Sequence, residues 1–161
     1  MTEPTGNVHL REITPDNQAS IEALVVTDEQ SNYVEGVAAS IVEAAETPDA
    51  RPWYRAVYDG DTPVGFVMIS DGITVDNPDY LGPYYLWRLL VDHQHQGRGY
   101  GAATIRLIVD ELRSRPDARV LITSCAPGPA TPLGFYLQQG FRDTGVVHLG
   151  EEVLELDLAP H

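Results

Sequence analysis

The sequence predicts an α/β fold: a mixed central sheet of about six to seven strands with helices on both faces, formed as one domain over residues 1–161. Three observations predict it. Apolar runs of strand length alternate along the chain with segments whose apolar residues recur at helical spacing. One run, Tyr84–Val91, is nearly continuous in apolar character, as a strand covered on both faces must be. The length, 161 residues, suits one core rather than two.

The elements follow in order. Val8-His9-Leu10-Arg11-Glu12-Ile13 alternates and reads as a short strand. Thr14-Pro15-Asp16 supplies an N-cap, a first-turn proline and a first-turn acid, so a helix is expected to begin there. Val34, Val37, Ala38, Ile41, Val42 and Ala45 mark the face of a second helix, stopped by Thr47-Pro48. Arg55-Ala56-Val57-Tyr58 and Val64-Gly65-Phe66-Val67-Met68-Ile69 flank Asp59-Gly60-Asp61, a hairpin with a small turn. Asp76-Asn77-Pro78-Asp79 is a loop before the central strand. After the glycines 97, 99 and 101, Ile105, Ile108, Val109 and Leu112 mark a helix that ends before Pro116. Arg119-Val120-Leu121-Ile122-Thr123 is a strand, and Thr131-Pro132 opens a short helix that Gly140 closes. Phe141 then stands where an apolar contact follows a helix C-cap. Val146-Val147 and Val153-Leu154-Glu155-Leu156 form a last hairpin around Leu149-Gly150.

Composition narrows the function. Hydrophobic residues are 43% and charged residues 21%, which is no composition for a disordered chain. A single cysteine, Cys125, excludes an internal disulfide and a cysteine-based zinc site. Ten arginines and no lysine face 24 acids, a net charge of −14. That balance argues against nucleic acid and against an anionic membrane as partners. Two readings of it stand: solubility, and attraction of a cationic ligand. No apolar run reaches the roughly 18–20 residues of a membrane helix. Residues 1–9 lack a basic start and an apolar core, so no secretory signal is expected, and the expected setting is the reducing cytoplasm.

The chemistry concentrates between Tyr84 and Arg113. Three glycines in five residues let a backbone approach a ligand closely, and the helix behind them offers free N–H groups and a positive dipole end. Phosphate or pyrophosphate suits such a turn; a tight strand-to-helix turn with no ligand is the plainer alternative. A dinucleotide fingerprint fails, because the glycines fall as G-x-G-x-G and the next strand ends in Thr123-Ser124 rather than an acid. A phosphate loop of the NTPase type fails for want of a lysine.

Gln96-Gly97-Arg98-Gly99-Tyr100-Gly101 after a central strand resembles the Q/R-x-x-G-x-G/A signature of the GNAT superfamily of acyl-CoA N-acyltransferases. Phe135-Tyr136-Leu137-Gln138-Gln139-Gly140-Phe141 is similar to that family's L-Y-x-x-x-G-F. Within the family, Asp28-Glu29-Gln30, Tyr58-Asp59-Gly60-Asp61 and the carboxy-terminal Val153-Leu154-Glu155-Leu156-Asp157-Leu158 resemble the diamine and polyamine acetyltransferase-like branch. One departure stands out: Pro129 and Pro132 occupy places where relatives carry an asparagine that contacts the cofactor arm and a small residue.

The resemblance implies acetyl transfer from acetyl-CoA to the amine of a small, cationic acceptor. It assigns cofactor binding to Leu89, Leu90, Val91, Gln96, Gly97, Arg98, Gly99, Tyr100 and Gly101, with an oxyanion held by a backbone N–H near Leu90 or Val91. It makes Tyr136 the general acid for the departing thiolate, against the alternative of an aromatic packing residue. Glu29 is a candidate for binding the amine or taking its proton, and equally a solvated helix acid. Tyr85 stands where some relatives carry a catalytic glutamate, so the base is unassigned. His93 and His95 lack a third metal ligand and read as surface residues near the cofactor, and no metal is expected. Cys125 reads as a small buried residue rather than a nucleophile, and Trp53 and Trp87 as core or pocket wall. A homodimer is compatible with the resemblance. The competing function is a non-catalytic acyl-CoA-binding or sensing module on the same fold, which turnover of an amine would separate from an enzyme.

Overall fold

The computed structural model describes residues 7–158; residues 1–6, part of the stretch read above for a signal, and 159–161 lie outside the described residues. The strands are β1 (Val8–Arg11), β2 (Pro52–Asp59), β3 (Thr62–Asp71), β4 (Tyr84–Val91), β5 (Val120–Cys125), β6 (Arg142–His148) and β7 (Glu151–Asp157). The helices are α1 (Gln18–Glu22), α2 (Val37–Glu46), α3 (Tyr100–Leu112) and α4 (Leu133–Gln138). One seven-stranded sheet runs in the order β1-β2-β3-β4-β5-β7-β6, which puts β4 at its centre as its apolar run predicts. All neighbours are antiparallel except β4 and β5, which are parallel.

Both faces of the sheet are covered, and β3 shows why. Phe66 and Met68 point to one side and pack with Ile21 and Leu24 of the α1 segment and Val37 and Ala44 of α2. Val67 and Ile69 point to the other and pack with Ile105, Ile108 and Leu112 of α3. A strand with no polar face must be buried twice.

The sheet opens at its centre. β3 and β4 pair along their length, and β5 and β7 pair over all six residues of β5. Between them, β4 and β5 meet in register only at Tyr85 and Ile122. Asp92 donates its N–H to the Val64 carbonyl, so the alternation of an antiparallel ladder turns the polar groups of Leu90 toward β3. Those of Leu89 and Val91 turn toward the opening, and Gln96 Nε2 reaches the Val91 carbonyl there at 3.0 Å.

Two expectations shift. The helix expected at Thr14 begins at Gln18, because the Thr14 carbonyl is taken by the N–H groups of Asn17 and Gln18 in a turn. The last hairpin has longer strands than its apolar residues mark. Leu149 (φ 50°) and Gly150 (φ 82°) form its two-residue turn, with both central residues in the left-handed region as a type I′ turn requires.

β3 holds β4 so closely that Gly65 leaves no room for a side chain: a Cβ there would collide with the Leu90 carbonyl oxygen. Backbone cannot yield as a side chain can. Gly65→Ala is expected to destabilise the fold by about 1–3 kcal/mol, read as a lower denaturant midpoint at unchanged slope. A midpoint equal to wild type would show that β4 is free to move away from β3.

Candidate active site

The opening between β4 and β5 is a cleft of about 650 Å³. One end is built by the glycine turn. Gly97 (φ 80°) and Gly99 (φ 87°) hold left-handed conformations, and Gly99 is the residue from which α3 starts. The Gly99 carbonyl accepts the first helical bond, from Ala103, so the N–H groups before it remain directed out of the helix end. A Cβ on Gly97 would meet nothing within 4 Å, so the turn is open to an incoming group. Helix end, dipole and accessible backbone donors together fit the pyrophosphate of a coenzyme.

The expected cofactor residues separate into two sets. Leu89, Val91, Gln96, Gly97, Gly99, Tyr100 and Gly101 line the cleft. Leu90 does not: its side chain is buried on the opposite face with Phe66 and Met68. The oxyanion contact expected near Leu90 or Val91 is therefore available on the Leu89 and Val91 side of the strand only. Arg98 is exposed beside the turn and outside the lining.

The other end is closed by α4. Gly101 is the joint between the two ends, because a Cβ there would sit 2.9 Å from the Phe135 ring. α4 ends in a Schellman cap: Phe141 N–H bonds the Tyr136 carbonyl, Gly140 N–H bonds the Leu137 carbonyl, and Gly140 has φ 101°. The Tyr136 ring meets those of Phe135 and Phe141 edge-on, each at 5.3 Å between centroids. Its position is thus fixed by two neighbouring aromatic rings and a cap. Tyr136 lines the cleft, and burial holds its hydroxyl well above the usual tyrosine range, with Thr123 opposing the shift. It stays protonated at neutral pH.

The segment before α2 spans the cleft. Gln30 and Gln96 pair through their side-chain amides, with Gln96 Nε2 donating to Gln30 Oε1 at 2.7 Å. Tyr33 Oη accepts the Ala130 N–H at 3.3 Å on the other bank. Gln30 and Tyr33 line the cleft; Glu29 is exposed and does not. The sequence assigns a site role to the acid and none to Gln30 or Tyr33, whose placement depends on partners 66 and 97 residues away.

Beyond Tyr136 the cleft reaches Tyr85, Trp87, Ser124 and Glu151, which it shares with a second cavity of about 270 Å³. Glu151 was not anticipated, although an acid directly after Leu149-Gly150 is held rigidly by the turn. Cys125 is buried at the end of β5, and burial raises its thiol, so it is held as an unreactive thiol. His93 is exposed and His95 packs edge-on to Tyr100. Among the described residues no three His, Cys, Asp or Glu side chains are grouped to hold a metal ion, and no helix is long and apolar enough to cross a membrane.

The profile of the acetyltransferase (GNAT) family matches residues 13–141. The chain belongs to this family. With membership comes N-acetyl transfer with acetyl-CoA as co-substrate. The spermine/spermidine N(1)-acetyltransferase of Bacillus subtilis strain 168 is 26% identical over 153 residues, covering 94% of this chain and 99% of its own. Among solved structures, AAC(6')-Ib in complex with ribostamycin and coenzyme A superposes with a TM-score of 0.73 at 17% identity, over 94% of this chain and 93% of the other. Spermidine N-acetyltransferase from Vibrio cholerae, in complex with CoA and spermine, gives 0.64 at 15% identity, over 92% and 93%. These two share the fold.

Gly97 offers a clean test of the cofactor end, since a methyl group there meets no protein atom. Gly97→Ala carries only the backbone strain of a left-handed alanine, of order 1 kcal/mol. Calorimetry is expected to show acetyl-CoA affinity about tenfold or more weaker in a variant that still melts cooperatively. Unchanged affinity would place the pyrophosphate elsewhere.

Proposed function

We propose that the protein acetylates a primary amine of a small polycation of the polyamine class. The observation that carries this reading is the cleft itself, with the glycine turn and the α3 end at one side and Tyr136, Tyr85 and Glu151 at the other. The Bacillus relative, similar along nearly the whole chain, supports the polyamine class. The net charge of −14 supports a cationic acceptor, and so do Asp79 and Glu151 around the second cavity.

In this reading Gly97, Gly99 and Gly101 hold the pyrophosphate, Gln96, Tyr100 and Arg98 surround it, and Leu89 and Val91 hold the acyl arm alongside β4. An N–H on the open edge of β4 receives the developing oxyanion. The amine nitrogen attacks the thioester carbonyl carbon and the carbon–sulfur bond breaks. Tyr136 donates its proton to the departing sulfur, which it can do because burial keeps the phenol protonated. Glu29, exposed and next in sequence to the lining residue Gln30, serves as an outer attraction for the polycation rather than as the base. Arg88, which would repel a cation, is neutralised by Glu43 at 2.5 Å.

Turnover decides between this reading and a binding module: free CoA should appear with spermidine or spermine, and none with a neutral alcohol. Tyr136→Phe keeps the ring and its packing, and is expected to lower kcat about 10²–10⁴-fold with acetyl-CoA affinity within about threefold of wild type. Near-normal kcat under chemistry-limited conditions would leave Tyr136 a packing residue. Salt should raise the KM for spermidine, because charges beyond the ~8 Å Debye length of physiological salt are screened. A KM indifferent to salt would remove charge steering from the account.

A further inference from the structure

Tyr85 stands where the cleft meets the second cavity, and it is the first member of a hydrogen-bonded chain. Tyr85 Oη lies 2.7 Å from Ser124 Oγ, and Ser124 Oγ lies 2.7 Å from Glu151 Oε1. Counting protons gives the direction. A carboxylate only accepts, so Ser124 donates to Glu151; serine has one hydroxyl proton, so Tyr85 must donate to Ser124. The lone pairs of Tyr85 Oη are then left to accept from a donor in the cleft. Each link comes from a different strand, β4, β5 and β7, and the last is fixed by the Leu149-Gly150 turn.

We propose that Tyr85, Ser124 and Glu151 form a proton relay that removes the ammonium proton of the acceptor before attack, with Glu151 as the terminal base. The inference rests on the amine-acetylation reading above and supplies the base that reading lacks. One N–H bond of the ammonium breaks and its proton passes to Tyr85 Oη. The phenolic proton passes to Ser124 Oγ, and the serine proton to Glu151 Oε1. Tyr85 and Ser124 end as they began, the amine nitrogen has its lone pair, and Glu151 is a neutral carboxylic acid. Nothing is oxidised or reduced. Glu151 then loses its proton through the second cavity, which it also lines.

The surroundings suit a relay. Burial raises the Tyr85 hydroxyl, with the Ser124 hydrogen bond opposing, so Tyr85 hands protons on and does not persist as a phenolate. Arg88 of β4, Cys125 of β5 and Tyr136 of α4 face Tyr85. Glu43 of α2, Asp79 and Tyr80 of the loop before β4, and His148 of β6 line the second cavity with Glu151. Arg88 is paired with Glu43, and His148 Nε2 sits 3.1 Å from the Asp79 carbonyl oxygen.

The test is the pH dependence of kcat/KM for spermidine with saturating acetyl-CoA, from about pH 6 to pH 9. An alkyl amine of pKa about 10 is neutral in roughly one molecule per thousand at pH 7. Wild type, drawing on the ammonium form, should show a broad plateau through neutral pH. Glu151→Gln must wait for the rare neutral amine. Its kcat/KM should rise about tenfold per pH unit, from about 10²–10³-fold below wild type at pH 7 toward wild type near pH 9. Ser124→Ala cuts the chain while keeping the acid and should give the same slope, so the test survives if Glu151→Gln misfolds. Acetyl-CoA affinity by calorimetry should be unchanged in both. Variants whose profiles run parallel to wild type overturn the relay, whatever their absolute rate. A wild type that acetylates no amine overturns the functional reading itself, and the relay with it.

Discussion

The divergence of β4 from β5 is the constraint on which the rest of the molecule depends. β4 is held by β3 along its length and β5 by β7, so each strand follows its own twisted neighbour and the two part after Tyr85 and Ile122. Inside a sheet, unpaired backbone groups are costly and must find partners. Here side chains supply some of them: Gln96 takes the Val91 carbonyl and Thr123 Oγ1 donates to the Leu86 carbonyl at 3.1 Å. The remaining edge is a strip of strand-like donors and acceptors facing a cleft. That strip can accept an extended, amide-bearing arm as a missing strand would be accepted.

The two sequence motifs are parts of one contact. Gly101 opens α3 without a side chain, and the Phe135 ring of α4 fills the space. A larger residue at 101 would push α4, and with it Tyr136, away from the cleft. The motif glycines thus do separate jobs: 97 and 99 adopt left-handed backbone, and 101 permits close approach between helices. The strap through Gln30 and Tyr33 adds a second tie, bridging the glycine turn to the loop before α4. The glycine turn and the Tyr136 end of the cleft are consequently one mechanical unit.

Legibility followed the range of the interactions. β4 was readable to the residue because burial on two faces leaves an unbroken apolar run. The Gly140 cap was readable because a Schellman motif is written in adjacent residues. The start of α1 was misread for the same reason: Thr14 does make its local bond, accepting the Asp16 N–H at 3.3 Å, but in a turn that precedes the helix. Glu29 and Gln30 differ only in which side faces the cleft, and that is decided by Gln96, a distant residue. Leu90 and Val91 were not separable until the pairing with β3 gave the ladder a phase. Ser124 and Glu151 carry no motif; a hydrogen bond across 27 residues of sequence leaves no periodic mark.

A tyrosine on β4 in place of an acid has a physical rationale. A carboxylate placed where Tyr85 stands would be buried among Cys125, Tyr136 and Ser124 and would lack a cation, since Arg88 is already paired. Burying such a charge unpaired costs several kcal/mol or forces it neutral, and a neutral acid is no base. A phenol costs far less to bury, because it carries no charge. With the hydroxyls of Tyr85 and Ser124 between them, the charge can stand at Glu151, on the rim of the second cavity, while its effect is delivered inside the cleft. Basicity and burial, which conflict in a single side chain, are divided among three. In the proposed reaction Tyr136 meets the opposite need at the sulfur with the same device: burial that would disable a carboxylate keeps a phenol in its donating form.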